Sequence, residues 1–199
     1  MKLFRILPAL CCALFAVSAL AQEAPDAMVK RVSQEVLVII KSDPKVQAGD
    51  QARIREVVET KLLPNFDFER LTALAMGRNW RQATPEQQKQ LVEQFRTLLV
   101  RTYSGALTQY RDQTMDYKPL RADANATEVT VRTEVVRQGQ APVPIDYSMA
   151  KGASGWKVYD VIVGGVSLVT NYRDEFNEQI KSGGIDGLIK TLQAKNSPK

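Results

Sequence analysis

An α+β domain is predicted for this 199-residue chain on three observations. Apolar residues recur at helical spacing from Pro25 to about Asp112, the period shifts to two between Thr114 and Val163, and helical spacing returns after Gly164-Gly165. Helices gathered before and after a run of closely connected strands indicate segregated layers, whereas regularly alternating strands and helices would indicate a parallel sheet. The short connections imply an antiparallel meander of about four strands, packed with several helices and leaving an apolar cleft between helices and sheet. The longest helix is expected to lie across that sheet.

Each element has its own signal. Pro25-Asp26 opens the first helix, with Val29, Val32, Val36, Ile39 and Ile40 on one stripe and Pro44 beyond its end. Asp50 opens a second that carries Ile54, Val57, Val58 and Leu62 and stops at Pro64. A short third carries Phe68, Leu71, Leu74 and Ala75 before Gly77. The fourth has the fullest start signal: Thr84 as N-cap, Pro85 in the first helical position, Glu86 and Gln87 in the first turn. Its apolar stripe from Leu91 to Tyr110 extends it to about Asp112, roughly 40 Å, with a bend possible at Gly105. Thr114 to Leu120 reads as a first strand, and Pro119 marks it as an edge. Thr127 to Arg137 alternates Val129, Val131, Thr133 and Val135 with polar residues, as a strand with one wet face does. Val143 to Met149 and Trp156 to Val163 follow; the last is apolar on both faces, with Val158 and Ile162 on one and Tyr159, Val161 and Val163 on the other. A helix carrying Val169, Tyr172, Phe176 and Ile180 is stopped by Gly183-Gly184, and a short final one carries Ile185, Leu188, Ile189 and Leu192.

The N-terminus reads as a secretory leader over residues 1–21. Lys2 and Arg5 precede an apolar run from Ile6 to Leu20, and Ala19-Leu20-Ala21 forms a small-residue cleavage site. That run is too short and wrongly flanked for a membrane span. Both cysteines, Cys11 and Cys12, lie inside it, and the chain has no histidine. The remaining residues 22–199, read as one domain, therefore lack thiolate and imidazole, the usual nucleophile and the usual base near neutral pH. This favours a binding protein over an enzyme, with no cofactor and no metal. Loss of Lys2 and Arg5 leaves a net charge of +3, with charges interspersed, so no nucleic-acid partner is indicated.

Several motif echoes fail on inspection. Gly165-Val166-Ser167 follows a strand and opens a helix like a nucleophile elbow, but Val169 stands where glycine is required and no histidine serves the serine, so Ser167 is read as a helix cap. Asp160 is read as a turn or pairing residue near its strand end. Gly184 to Thr191 resembles a phosphate loop, except that Ile189 replaces the glycine before Lys190. Asp123, Asn125 and Thr127 imitate a calcium loop, with Glu128 in place of its turn glycine. Asn125-Ala126-Thr127 is a glycosylation sequon, meaningful only in a host that glycosylates in this way.

Two segments resemble the MlaC family, periplasmic phospholipid-binding components of bacterial lipid-asymmetry and toluene-tolerance transport systems. One runs from Phe66-Asp67-Phe68 through Met76-Gly77, Trp80 and Ala83-Thr84-Pro85-Glu86-Gln87 to Tyr103 and Ala106-Leu107. The other comprises Trp156-Lys157-Val158-Tyr159-Asp160-Val161, Gly165-Val166-Ser167, Tyr172, Phe176 and Gly184-Ile185-Asp186-Gly187-Leu188. With the element order, the likeness spans nearly all of residues 22–199. It implies a monomeric periplasmic carrier that inserts the acyl chains of a diacyl phospholipid between sheet and helices and leaves the headgroup near solvent. It also implies exchange with an outer-membrane lipoprotein and porin complex, and with an inner-membrane ABC transporter complex bearing a lipid-binding ring. The rival reading is a periplasmic protein-binding adaptor, on a cystatin-like or nuclear-transport-factor-like scaffold, whose cleft receives a peptide. A lipid-modifying enzyme using Asp160, Asp186 or Ser167 is the other.

Periodicity and position nominate the cleft wall. Leu74, Phe95, Leu98, Leu99, Tyr103 and Leu107 are expected from the helices, and Ile145, Tyr147, Met149, Tyr159, Val161, Val163, Val166 and Leu168 from the sheet and its exit. The same residues also suit an ordinary core. Tyr103 and Tyr147 are candidates for hydroxyls at the mouth, and Arg78 and Arg81, flanking Trp80, for contacts to a phosphate or an anionic partner.

Overall fold

The computed structural model describes residues 22–107 and 113–197. The expected leader with Cys11 and Cys12, its expected cleavage site, and the expected end of the long helix at Asp112 lie outside them.

Among the described residues, six α-helices and a five-stranded antiparallel sheet build the fold. Helix α1 (Pro25–Ser42) buries Met28, Val29, Val32, Val36 and Ile40 along one stripe. Its N-terminal half packs on Val131, Met149 and Val158 of the sheet, and its C-terminal half on Val46, Ile54 and Val57. A single turn, α2 (Pro44–Gln47), follows, where the sequence suggested only a break. The Asp43 carboxylate accepts from the amides of Lys45 and Val46, so a cap sits directly before the helix-ending proline. Asp50 caps α3 (Gln51–Val57) by accepting from the amides of Ala52 and Arg53 at 2.9 and 3.1 Å. The helix then widens into a π turn at Val58–Leu62 and tightens into a 3-10 turn at Leu63–Asn65. Pro64 cannot donate to an α ladder, which accounts for the irregular exit.

Helix α4 (Phe68–Met76) is capped by Asp67, and Gly77 ends it at φ +56°, a conformation that glycine adopts at no steric cost. The segment Gly77–Gln82, between the expected third and fourth helices, is a 3-10 turn. Helix α5 (Pro85–Leu107) opens with a reciprocal capping box: the Gln87 amide donates to Thr84 Oγ1 at 3.2 Å, and the Thr84 amide to Gln87 Oε1 at 2.9 Å. Its buried face meets α4 and α6 (Leu168–Asn196). The Phe95 ring stands edge-on to both Tyr172 and Phe176 with centroids 4.8 Å apart. The expected placement of the long helix across the sheet is therefore corrected. Helix α1 carries the stripe that seals the sheet, and α5 packs among helices. The two expected C-terminal helices join as α6, with a break at Gly184 (φ +67°).

The strands are β1 (Thr114–Tyr117), β2 (Glu128–Val136), β3 (Val143–Gly152), β4 (Gly155–Val163) and β5 (Val166–Ser167), adjacent in chain order. β1 is an edge, as Pro119 suggested, while β5 is a two-residue addition made by the tight turn at Gly164-Gly165. A bulge shifts the register, so that Ser148 pairs with Asp160 but Met149 with Val158. The extra residue in β4 breaks strict alternation. Val158 and Val161, on opposite faces by parity, consequently join the same apolar cluster.

Candidate functional site

An apolar cleft opens between the α3 exit, α4, α5 and β4. Its lining is Val58, Leu62, Leu63, Phe66, Phe68, Leu71, Leu99, Val100, Tyr103, Ser104, Leu107, Val161 and Leu168, around a cavity of about 220 Å³. Only Tyr103 and Ser104 bring side-chain oxygens. The Ser104 hydroxyl is spent on the Val100 carbonyl one turn back, which leaves its share of the wall without a free donor. Tyr103 is 41% exposed and stands where the cleft meets solvent.

The floor is pinned to the sheet by backbone. The Asp67 amide donates to the Val158 carbonyl at 2.8 Å, Phe66 bridges Val158 in parallel, and the Lys157 ammonium donates to the Pro64 carbonyl at 2.5 Å. These bonds hold Phe66 and Phe68 stacked, with centroids 5.6 Å apart. Beside them the Arg70 guanidinium lies 4.0 Å over the Tyr159 ring and reaches Glu128 at 2.6 Å, and the Tyr159 hydroxyl donates to the same carboxylate at 3.1 Å. Arg70 holds the Glu128 carboxyl below the usual carboxylate range. Burial, with the carboxylate's help, pushes the Tyr159 hydroxyl up. The triad ties α4 to β2 and β4.

Inside β4, where it pairs with Ser148, Asp160 accepts from the Ser167 hydroxyl at 2.5 Å and the buried Val169 amide at 3.1 Å, while Ser167 Oγ accepts from the Thr170 amide at 3.0 Å. The Gly-Val-Ser turn thus sets a two-residue cap on α6. The serine serves α6 as a cap, and its hydroxyl proton is committed to Asp160. Among the described residues no group of three or more acidic, cysteine or histidine side chains is placed to hold a metal ion.

Of the fourteen residues nominated from sequence, Leu99, Tyr103, Leu107, Val161 and Leu168 line the cleft. Phe95 and Leu98 lie in the core between α4, α5 and α6, with Leu74 packed against it. Met149 is buried under α1, with Tyr147 against the same cluster. Tyr159 belongs to the Arg70–Glu128 triad, and Ile145 is half-buried in β3 opposite Val163. Val163 and Val166 stand 43% and 60% exposed beyond the cleft. Arg78 forms part of a separate polar pocket with Asn79 and Asp174, and Arg81 is exposed. Sequence reasoning missed the wall from Val58 to Leu71. Its signals were the apolar pair Val58 and Leu62 just ahead of Pro64, and the Phe-Asp-Phe triplet that follows.

The family model for the MlaC protein matches residues 30–194. The chain is 27% identical over 181 residues to the toluene tolerance protein ttg2D of Pseudomonas putida, covering 90% of this chain and 83% of that one. It is 24% identical over 179 residues to the intermembrane phospholipid transport system binding protein MlaC of Haemophilus influenzae, covering 88% and 84%. Among solved structures, the phospholipid-binding protein from Ralstonia solanacearum in complex with a phospholipid superposes with a TM-score of 0.82 at 44% identity, covering 87% of this chain and 97% of that one. An α+β fold with an open antiparallel sheet, a cleft walled by carbon and a family match across most of its length agree on one assignment: the chain belongs to the MlaC family.

Proposed function

We propose that this protein is a phospholipid carrier of the bacterial periplasm, active as a monomer of one domain once its leader is removed. The observation that carries the reading is the cleft, eleven of whose thirteen lining side chains offer only carbon and hydrogen. The phospholipid bound by the Ralstonia protein of the same fold supports it. At about 0.8 kcal/mol per methylene, a two-tailed lipid of about 30 methylenes needs shelter worth roughly 20 kcal/mol to leave a bilayer and cross water. An apolar wall supplies that shelter without a reacting group, so the proposal includes no chemical step.

At about 220 Å³ the cleft is smaller than an ordinary ligand pocket of ~300–1,000 Å³, so a two-tailed cargo requires its walls to part. The exit of α3, with its π and 3-10 turns, is the irregular segment of that wall. The names of the Haemophilus and Pseudomonas relatives support a place in an envelope transport system. In that place the carrier exchanges lipid between an outer-membrane lipoprotein and porin complex and an inner-membrane ABC transporter complex, which maintains outer-membrane lipid asymmetry.

The test is expression of the chain in a bacterium, purification without detergent, and mass spectrometry of an organic extract. Stoichiometric diacyl phospholipid is expected. Protein free of lipid that also takes up none from vesicles refutes the carrier and leaves the peptide-binding adaptor.

A further inference from the structure

The apolar cleft does not end at Val100. The same two walls, α3 and α5, continue toward the N-terminal end of α5 as a polar groove lined by Arg55, Glu59, Glu93, Arg96, Thr97 and Arg101, with Val100 lining both compartments and about 570 Å³ of open space. Resting on the carrier reading above, we propose that this groove seats the phosphodiester of the bound lipid's headgroup, with Arg55 and Arg96 as its anion-binding residues.

Three observations carry the proposal. The first is continuity. Along α3, Arg55 precedes the cleft residue Val58 by three positions, and along α5, Arg96 precedes Leu99 and Val100 by three and four, so each arginine is about one turn from the carbon wall. A lipid with its chains along Leu99, Tyr103 and Leu107 has its glycerol near Val100 and its phosphate one turn further on. The second is the boundary contact: the Arg96 guanidinium lies 6.0 Å over the ring of Phe68, which itself lines the cleft, so one side chain touches the apolar compartment and faces the polar one. The third is availability. Among the described residues neither Arg55 nor Arg96 forms an ion pair, although Glu59 and Glu93 share the groove, whereas Arg53 is held by Asp43 and Glu56. Arg101 is committed elsewhere, donating to the carbonyls of Asn196 and Ser197 at the end of α6. Two guanidinium groups on facing helices suit a phosphodiester, whose two free oxygens accept charge-assisted hydrogen bonds in a fork geometry.

The experiment uses delipidated protein of residues 22–199 and two probes with identical palmitoyl chains, phosphatidylglycerol and the uncharged dipalmitoylglycerol, read by native mass spectrometry. The wild type is expected to load the phospholipid at least tenfold better than the diacylglycerol. Arg55→Gln with Arg96→Gln should abolish that preference while leaving diacylglycerol loading and the circular dichroism spectrum unchanged, and the Arg55→Lys, Arg96→Lys pair should restore most of it. Unchanged preference in the glutamine pair overturns the assignment. Titration of inorganic phosphate into lipid-loaded protein separates the sources of the anion. No heat is expected, because the headgroup fills the groove; binding that disappears in the glutamine pair makes the groove a free-anion site and overturns the proposal. Folded wild type that loads neither probe refutes the carrier itself and takes this inference with it. Loading of both probes equally refutes the inference alone.

Discussion

Replacing Val161 with glutamate places one carboxyl in the carbon wall of the cleft, and the cost to lipid binding follows from titration. With an acyl chain seated, the group is cut off from water and is neutral. At pH 7 a carboxyl of ordinary pKa near 4.3 takes up a proton at a cost of about 3.7 kcal/mol. Burying the neutral carboxyl without a partner adds ~1–3 kcal/mol. Affinity should fall by roughly 10³ to 10⁵, enough to remove lipid from protein purified at neutral pH. The proton contribution is itself pH-dependent. At pH 5 it shrinks to about 1 kcal/mol, so loading from vesicles should recover about a hundredfold between pH 7 and pH 5, opposite to a defect caused by unfolding. Val163→Glu is the control, because Val163 is 43% exposed and absent from the cleft wall. Lipid content is measured by mass spectrometry of extracts and loading by native mass spectrometry, with circular dichroism to confirm the fold. Val161→Glu protein that is folded and carries full lipid at pH 7 refutes the claim that this cleft holds the acyl chains.

Other consequences follow from the core and the caps. Asp160→Ala strands the buried Val169 amide and the Ser167 hydroxyl; a loss of about 3 kcal/mol is expected, seen as a fall in Tm of roughly 6–12 °C, with Asp160→Asn losing about half because its amide oxygen still accepts. Phe95→Ala removes a ring that is 0% exposed and touches Tyr172 and Phe176, so urea unfolding should show a loss of ~3–5 kcal/mol while lipid per folded molecule stays constant. Burial first, and the neighbouring Tyr103 next, push the Tyr172 hydroxyl up to about 12. Its neutral form therefore adds stability below the unfolded value near 10 that is lost as pH rises from 10 to 12, about 1–2 kcal/mol after allowance for solvent screening. Tyr172→Phe should flatten the alkaline limb of a stability–pH profile over that window, and an unchanged limb counts against the assignment.

Short-range chemistry was the legible part of the fold. Asp50 and Thr84 act on amides two or three residues away, so their caps could be read from spacing alone. The period-two run from Thr127 to Arg137 gave a strand because alternation is a property of the strand itself. Ser167 was legible as a cap for the same reason, but its partner Asp160, reached across a turn, was not. The bulge at Met149 was also hidden: one extra residue in β4 leaves no compositional mark, yet it brings Val158 and Val161 into one cluster.

The sequence by itself determined the starts of the longer helices, the four longer strands, the absence of histidine and the family, because each of these is written in residue identity and spacing. Only tertiary structure decided which apolar residues face cargo space and which fill the core. Phe95 and Leu99 share the apolar surface of α5 four residues apart, but one ring is closed over by α6 and the other side chain borders a cleft. That difference depends on where other elements pass. The wall from Val58 to Phe68 enters because two backbone contacts tie Phe66 and Asp67 to Val158, about ninety residues away in the chain. A local hydrophobic pattern records that a residue avoids water; it carries no record of what covers it.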